Sequence, residues 1–143
     1  MDADDKMFPT RLADQVAVLE RDKDITICAT YMQQMRGNNI YNNGIEGTIK
    51  PFAYILLLGN FIAHPTVMIR TAFLNKHRLK YRPKCIYAED YKLWAEIACR
   101  GGSLYIIPKP LIEYRTSEGL VSRIHNQRQM ETANRIRNEL LFF

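Results

Sequence analysis

The stretch Tyr87-Ala88-Glu89-Asp90-Tyr91-Lys92-Leu93-Trp94 decides the fold, because it joins a loop to a helix and puts two carboxylates at the junction. The apolar residues of this helix recur at the spacing of a single helical face, and Gly101-Gly102 then ends the helix. The simplest interpretation of Glu89 and Asp90 is capping, since acids stabilise the positive end of the helix dipole. The alternative is that the pair performs chemistry. The residues of the apolar face are Leu93, Trp94, Ile97 and Ala98.

The composition bounds the class of protein. The chain has 143 residues, of which 47% are apolar, so residues 1–143 are expected to form a single domain with its own core. No apolar run is long enough to cross a bilayer. The first residues are acidic rather than a basic leader, so no signal peptide is expected. Three widely spaced cysteines without a CxxC motif indicate buried thiols in a reducing compartment and give no reason to expect zinc. A cytoplasmic location follows.

The net charge of +5 suits partners that carry phosphate, an anionic membrane surface or nucleic acid. No nucleic-acid motif matches the sequence, so nucleic-acid binding is not expected. The closing helix carries a basic face formed by Arg123, Arg128, Arg135 and Arg137. The simplest interpretation is that this face is exposed to solvent, and contact with an anionic membrane surface is the alternative.

Periodicity and turn residues predict the remaining elements. Leu12, Val16 and Leu19 are expected to form the buried face of the first helix, which has Pro9 as its first residue. Glu96 and Arg100 are spaced for a helical ion pair. Residues 50–58 suit a short helix, with a strand as the alternative. The other predicted helices are 9–22, 71–77 and 124–141; the predicted strands are 25–31, 66–69, 104–107 and 111–115; and turns or loops are predicted over 36–47 and 108–110.

Several short motifs occur in order along nearly the whole chain, and together they resemble the second half of a family 2 glycosyltransferase of the inverting GT-A type. That resemblance implies an α/β fold, a partial GT-A fold with a mixed sheet flanked by helices. It also implies that the chain is the C-terminal half of such a domain, without the N-terminal nucleotide-binding half. The motifs are Met-Asp-Ala-Asp-Asp at 1–5, Pro-Thr-Arg-Leu-Ala-Asp-Gln-Val at 9–16, His-Pro-Thr-Val-Met-Ile-Arg at 64–70, Ala-Glu-Asp-Tyr-Lys-Leu-Trp at 88–94, Ile-Pro-Lys-Pro-Leu-Ile-Glu-Tyr-Arg at 107–115 and Val121-Ser122.

The resemblance also implies a donor and a metal ion. A nucleotide-sugar donor, of which a UDP-sugar is the first expectation, leaves as a diphosphate whose charge Mg²⁺ or Mn²⁺ neutralises. The DxD motif of the family falls on Asp2 and Asp4. Asp4 would bind the metal directly, and Asp2 would face the metal or the donor's ribose. Some relatives have a metal-binding histidine after the Tyr-Arg pair; here residues 116–118 are Thr-Ser-Glu and the nearest histidine is His125, so the third protein ligand stays open.

The same resemblance assigns catalytic roles. Asp90 is expected to be the base that deprotonates the acceptor hydroxyl, with Glu89 as its neighbour that positions the acceptor. Arg115 is expected to face phosphate. His64 matches the family's sequence as a substrate-binding residue, although a histidine before proline is more often an ordinary loop residue.

The function implied is transfer of a sugar to a glycan or lipid-linked acceptor in cell-envelope polysaccharide synthesis, by a truncated fragment at the cytoplasmic face of the membrane. The alternative is a non-catalytic remnant or an interaction module that completes its sheet with another chain, since an open sheet edge invites self-association. A protein that binds the membrane surface through its closing helix is a third interpretation.

Overall fold

In the computed structural model, residues 5–35, 39–41, 44–115 and 126–142 are described. They form an α/β structure in which helices flank a mixed six-stranded sheet, and this confirms the predicted fold class. The strands are β1 (Lys6–Met7), β2 (Ile27–Gln34), β3 (Ile40–Tyr41), β4 (Gly47–Ile49), β5 (Met68–Ile69) and β6 (Leu104–Tyr114). The helices are α1 (Arg11–Arg21), α2 (Ala53–Leu58), α3 (Thr71–His77), α4 (Glu89–Cys99) and α5 (Asn126–Leu141), with a short 3-10 turn at His64–Thr66.

Two long parallel strands, β2 and β6, form the centre of the sheet. The other side of β6 pairs antiparallel with β1 and β4, and the other side of β2 pairs antiparallel with β3 and β5. Ile27, Cys28 and Leu104 are fully buried at the start of this parallel pair, as expected for strands that are covered on both faces. The sheet therefore has a buried centre and short edge strands.

The strand β6 corrects one prediction. A turn at 108–110 between two strands is wrong, because residues 104–114 form one continuous strand. Its register with β2 shifts where Thr30 pairs with Ile107 and Tyr31 with Pro110, and such a bulge accommodates residues that have no partner. Pro108 and Pro110 also lie between the stretches that pair with β4 and β1. Proline has no N–H to donate, so this gap in the pairing tolerates it.

The helix α4 packs on one face of the sheet with the residues that its periodicity predicts. Leu93, Trp94, Ile97 and Ala98 are all buried, and they join Ile27 and Ile106 of the sheet in the larger core cluster. Gly101 has a positive φ of 77°, and its N–H donates to the carbonyl of Ala98, which confirms the predicted helix end. The Glu96–Arg100 ion pair is wrong: the Glu96 carboxylate binds Arg82 and Lys92, while Arg100 donates to the Glu96 carbonyl.

The helix α1 packs on the opposite face of the sheet in an orientation that the sequence did not predict. Leu12 and Val16 are exposed, whereas Arg11 and Gln15 are buried together with Val18 and Leu19. Hydrogen bonds explain this orientation, because the Gln15 side chain donates to the carbonyls of Cys28 and Thr66, at 2.7 and 2.9 Å. The helix also begins at Arg11 rather than Pro9.

The other predicted elements lie close to where the sequence puts them. Residues 71–77 form a helix with the predicted bounds, residues 53–58 of the 50–58 segment are helical, and the 25–31 strand is found at 27–34. The predicted strand at 66–69 is shortened to β5, because the 3-10 turn takes up His64–Thr66. No helix among the described residues is both long and apolar enough to span a membrane. All three cysteines are free, and Cys28 and Cys85 are buried.

Candidate active site

Asp90 is the second residue of α4, in the first turn of the helix. The cap position belongs to Ala88, and no side chain caps the helix there. One carboxylate oxygen of Asp90, Oδ1, accepts the N–H of Tyr91 at 2.7 Å. Asp90 therefore lies at the positive end of the helix dipole and accepts a first-turn N–H, as the capping interpretation expects, although the cap position itself is occupied by Ala88.

Asn60 holds the other oxygen of this carboxylate. Its Nδ2 donates to Asp90 Oδ2 at 3.0 Å, and its own Oδ1 accepts the N–H of Ile62 at 3.4 Å. Asn60 follows α2 directly after Gly59, so the end of one short helix orients the carboxylate at the start of another. Gly59-Asn60 interrupts an apolar stretch of the sequence, and that is only a weak signal for this role.

A first pocket, here called the sheet pocket, lies beside Asp90 over the later residues of β2. Its volume is about 470 Å³, within the range of roughly 300–1,000 Å³ typical of small-molecule sites. Open α/β sheets bind ligands at the carboxyl ends of their parallel strands, and this pocket follows that rule. Its lining includes Thr30, Met32, Asn60, His64, Asp90 and Tyr114.

A second pocket, here called the helix pocket, lies between the start of α4 and the helix α5. Its volume is about 320 Å³, and Asp90 and Asn60 line it as they line the sheet pocket. The Gln129 side chain on α5 donates to the carbonyl of Tyr87 at 2.8 Å, which ties α5 to the residues that lead into α4. The Asp90 carboxylate thus belongs to both pockets.

His64 lines the sheet pocket together with Asp90. Its Nε2 lies 3.0 Å from the Tyr81 hydroxyl, and its ring centroid lies 6.3 Å from that of the buried Trp94. Burial, and secondly the negative charge of Asp90, raise the pKa of the Tyr81 hydroxyl, so Tyr81 keeps its proton beside the carboxylate. Tyr81 is a second residue of this region that the sequence analysis did not single out.

The remaining candidates either line neither pocket or lie outside the described residues. Glu89 is half-buried and lines neither of the two pockets. Arg115 is exposed at the end of β6, where its backbone N–H donates to Asp5 Oδ1 at 3.2 Å. Asp2, Asp4 and His125 lie outside the described residues. Within the described ranges, no group of three histidine, cysteine or acidic side chains is arranged to hold a metal ion.

The arrangement suits transfer of a proton and of a group between two bound molecules. A carboxylate that faces two pockets can contact a ligand in each, and its two oxygens are oriented by Asn60 and by the Tyr91 N–H. A general base must reach the proton that it removes at hydrogen-bond distance. Asp90 lines both pockets, so a ligand hydroxyl in either of them can approach its carboxylate.

Comparison with known proteins gives the chain two relatives. No protein-family model matches it. It is 30% identical, over 97% of its length, to a Haemophilus influenzae protein named an uncharacterized glycosyltransferase, of which it covers 46%. It is 28% identical, over 90% of its length, to a Methanocaldococcus jannaschii protein with the same description, of which it covers 45%. The chain therefore spans about half the length of these curated relatives and is similar, over most of its own length, to two proteins named glycosyltransferases.

Proposed function

We propose that this chain is the acceptor-side part of a glycosyltransferase that moves a sugar from a nucleotide-sugar donor to a hydroxyl of an acceptor. The observation that carries the proposal is the Asp90 carboxylate, which lines both the sheet pocket and the helix pocket. The two relatives named glycosyltransferases support the same class of reaction. The inverting, family 2 type of mechanism is part of the proposal and rests on the sequence resemblance.

In the proposed reaction the donor sugar lies in the sheet pocket and the acceptor in the helix pocket. The acceptor oxygen forms a bond to the anomeric carbon, the bond from that carbon to the diphosphate oxygen breaks, and the acceptor proton passes to Asp90. Attack from the side opposite the leaving group inverts the anomeric configuration. Asn60 keeps the carboxylate oriented toward the acceptor, and the helix dipole stabilises its charge before the proton arrives.

The donor and metal side of the proposal depends on other residues. Asp4 and Asp2 would hold Mg²⁺ or Mn²⁺, which when bound neutralises the departing diphosphate. His64, in the sheet pocket, is the candidate for contact with the donor, and Arg115 is the candidate for contact with phosphate. We propose a UDP-sugar as the donor, and a glycan or a lipid-linked sugar of the cell envelope as the acceptor.

The test is substitution of Asp90 by Asn, which keeps the shape of the side chain and removes its basicity. Because the chain by itself is expected to bind the donor poorly, the variant is made with the nucleotide-binding half supplied. We expect Asp90→Asn to lower the rate of sugar transfer from UDP-sugars by about 10²–10⁴-fold and to leave UDP binding unchanged. Glu20→Gln is the matched control, because Glu20 is an exposed acid on α1 paired with Lys23. A transfer rate that survives Asp90→Asn would show that another group is the base.

The interaction-module alternative receives less support from the described part of the sheet. Its edge strands β1, β3, β4 and β5 are two or three residues long, and short edges offer little template for pairing with another chain. A folded chain that self-associates, and that transfers no sugar even when the nucleotide-binding half is supplied, would favour this alternative.

A further inference from the structure

One side chain that lines the helix pocket, Arg137, is positively charged and has no role in the proposed reaction. Arg137 and Asp90 are the two charged side chains among those that line it. The Arg137 guanidinium donates to Asn134 Oδ1 on its own helix. Within the described part of the chain, no carboxylate lies at ion-pair distance from Arg137. Most of its N–H donors are therefore available to a ligand in the pocket.

The neighbours of Arg137 do not neutralise its charge. Asn134 is neutral. The Tyr91 hydroxyl donates to the carbonyl of Leu56, and burial raises its pKa although the positive charge of Arg137 acts in the opposite direction. Tyr91 is therefore a neutral phenol at ordinary pH. Met130 and Ala133 add an apolar wall to the pocket, and a charge is felt more strongly beside such a wall than in water.

We propose that the helix pocket binds an acceptor that carries an anionic group, a phosphate or a carboxylate. Arg137 holds that group while an acceptor hydroxyl faces Asp90. A guanidinium binds either anion through two parallel N–H bonds, which fixes the orientation of the ligand as well as its charge. The inference rests on the proposed function, because it names the class of acceptor that Asp90 would deprotonate.

The experiment measures binding of three probes to the folded chain by NMR: glucose 1-phosphate, glucuronate and uncharged glucose. We expect at least one anionic sugar to bind about tenfold more tightly than glucose, because a charge-assisted hydrogen bond is strong enough for such a factor. The Nε–Hε signal of Arg137 should shift with it. Whichever anion binds more tightly identifies phosphate or carboxylate as the recognised group.

Variants test the role of Arg137. Arg137→Gln should abolish the preference for the anionic sugar, and Arg137→Lys should retain part of it. Arg128→Gln is the matched control, because Arg128 is an exposed arginine of the same helix outside the pocket lining. Met130→Glu adds a carboxylate to the pocket wall at a side chain that is 56% exposed. It should weaken binding of the anionic sugar more than binding of glucose.

Equal affinity for all three probes, or a preference that survives Arg137→Gln, would overturn the inference. Sugar transfer that depends on Asp90 but ignores both Arg137 and acceptor charge would overturn it as well, and would leave the proposed function standing. Binding of an anionic sugar through Arg137, in a chain whose transfer is unaffected by Asp90→Asn, would instead remove the proposed function and keep the anion site.

Discussion

Asp90 and Asn60 form the residue pair on which the proposed chemistry depends. The 3.0 Å bond from Asn60 Nδ2 fixes one oxygen of the carboxylate in a position shared by the two pockets. We expect Asn60→Ala to lower kcat for transfer by about tenfold, since a hydrogen bond to a charged group is worth about that factor. Asn75→Ala, at an exposed position on α3, is the control. An unchanged kcat would mean that the carboxylate needs no such support.

Cys28 is a residue whose titration should be visible in the stability of the protein. Burial raises the pKa of its thiol from 9.0 to about 11, against a smaller opposite effect of Gln15. The folded chain therefore holds this proton more tightly than the unfolded chain does. The resulting contribution to the free energy of unfolding is complete below pH 9 and is lost as the pH rises toward about 11.

Cys28→Ala should consequently flatten part of the decline in stability over that pH range. Denaturant unfolding at several pH values, with the parent chain in parallel, measures the difference. Part of the decline should persist, because burial also raises the pKa of Tyr81, Tyr91 and Cys99. Identical pH profiles for parent and variant would contradict the assignment to Cys28.

At the scale of elements, α1 is held against the sheet by polar rather than apolar contacts at its first turns. Gln15→Ala would leave the carbonyls of Cys28 and Thr66 without this donor in a buried place. We expect a loss of about 2–3 kcal/mol in the free energy of unfolding. Val16→Ala, one residue along the helix but exposed, should cost about 0.5 kcal/mol or less. The reverse order would favour the orientation expected from the sequence.

The end of α4 is closely packed around its two glycines. A Cβ on Gly102 would lie 2.4 Å from Ile97 Cγ2 and 2.9 Å from the Ile97 carbonyl oxygen. Gly102→Ala should therefore cost about 2–3 kcal/mol, as overpacking does. Gly101→Ala meets no atom within 4 Å and should cost about 1 kcal/mol, from the positive φ alone. Thermal unfolding of the two variants compares these costs, and equal costs would argue against the close approach.

These elements also show what a sequence can predict. The helix α4 was predictable because its apolar period and its double glycine agree with each other and with the core. The orientation of α1 was not, because it depends on bonds from Gln15 to carbonyls that include one 51 residues away. The sequence predicts two strands in place of β6 because Pro-Lys-Pro is typical of a turn, whereas the pairing of β6 with β2 continues past these residues.

The residues of the candidate site also include some that the sequence predicts and some that it does not. Asp90 and His64 stood out by residue type and neighbouring sequence, and the structure brings both to one pocket. The sequence does not predict a role for Asn60, because an asparagine after a glycine is common in surface segments. It predicts Arg137 only as one arginine of a solvated basic face, whereas Arg137 lines the helix pocket. Only the packing of α2, α4 and α5 around a common space gives them a role.

At the scale of the whole molecule, the start of the described chain is joined to the end of its longest strand. Asp5, 8% exposed, accepts the backbone N–H of Arg115, 110 residues away, beside the antiparallel pairing of β1 with β6. The sequence motif that would hold a metal, Asp2 and Asp4, directly precedes Asp5. A metal ion bound by this motif should therefore perturb the residues at the end of β6 as well as the first residues of the chain.

We predict that Mn²⁺ added to the labelled chain broadens the backbone amide signals of Asp5 and Arg115 more than those of residues around Asp90. Asp4→Asn should abolish this broadening, because a carboxylate ligand of a hard cation cannot be replaced by a neutral amide without loss of affinity. Asp14→Asn, an acid in the first turn of α1, is the matched control. Chelation of the metal should also stop sugar transfer and leave the thermal midpoint unchanged within error.

Broadening centred on Asp90 and Asn60 instead would move the metal site from the acidic motif to the pockets. It would also require Asp90 to act as a ligand rather than as the base, and in that case Asp90→Asn should weaken Mn²⁺ binding and transfer together.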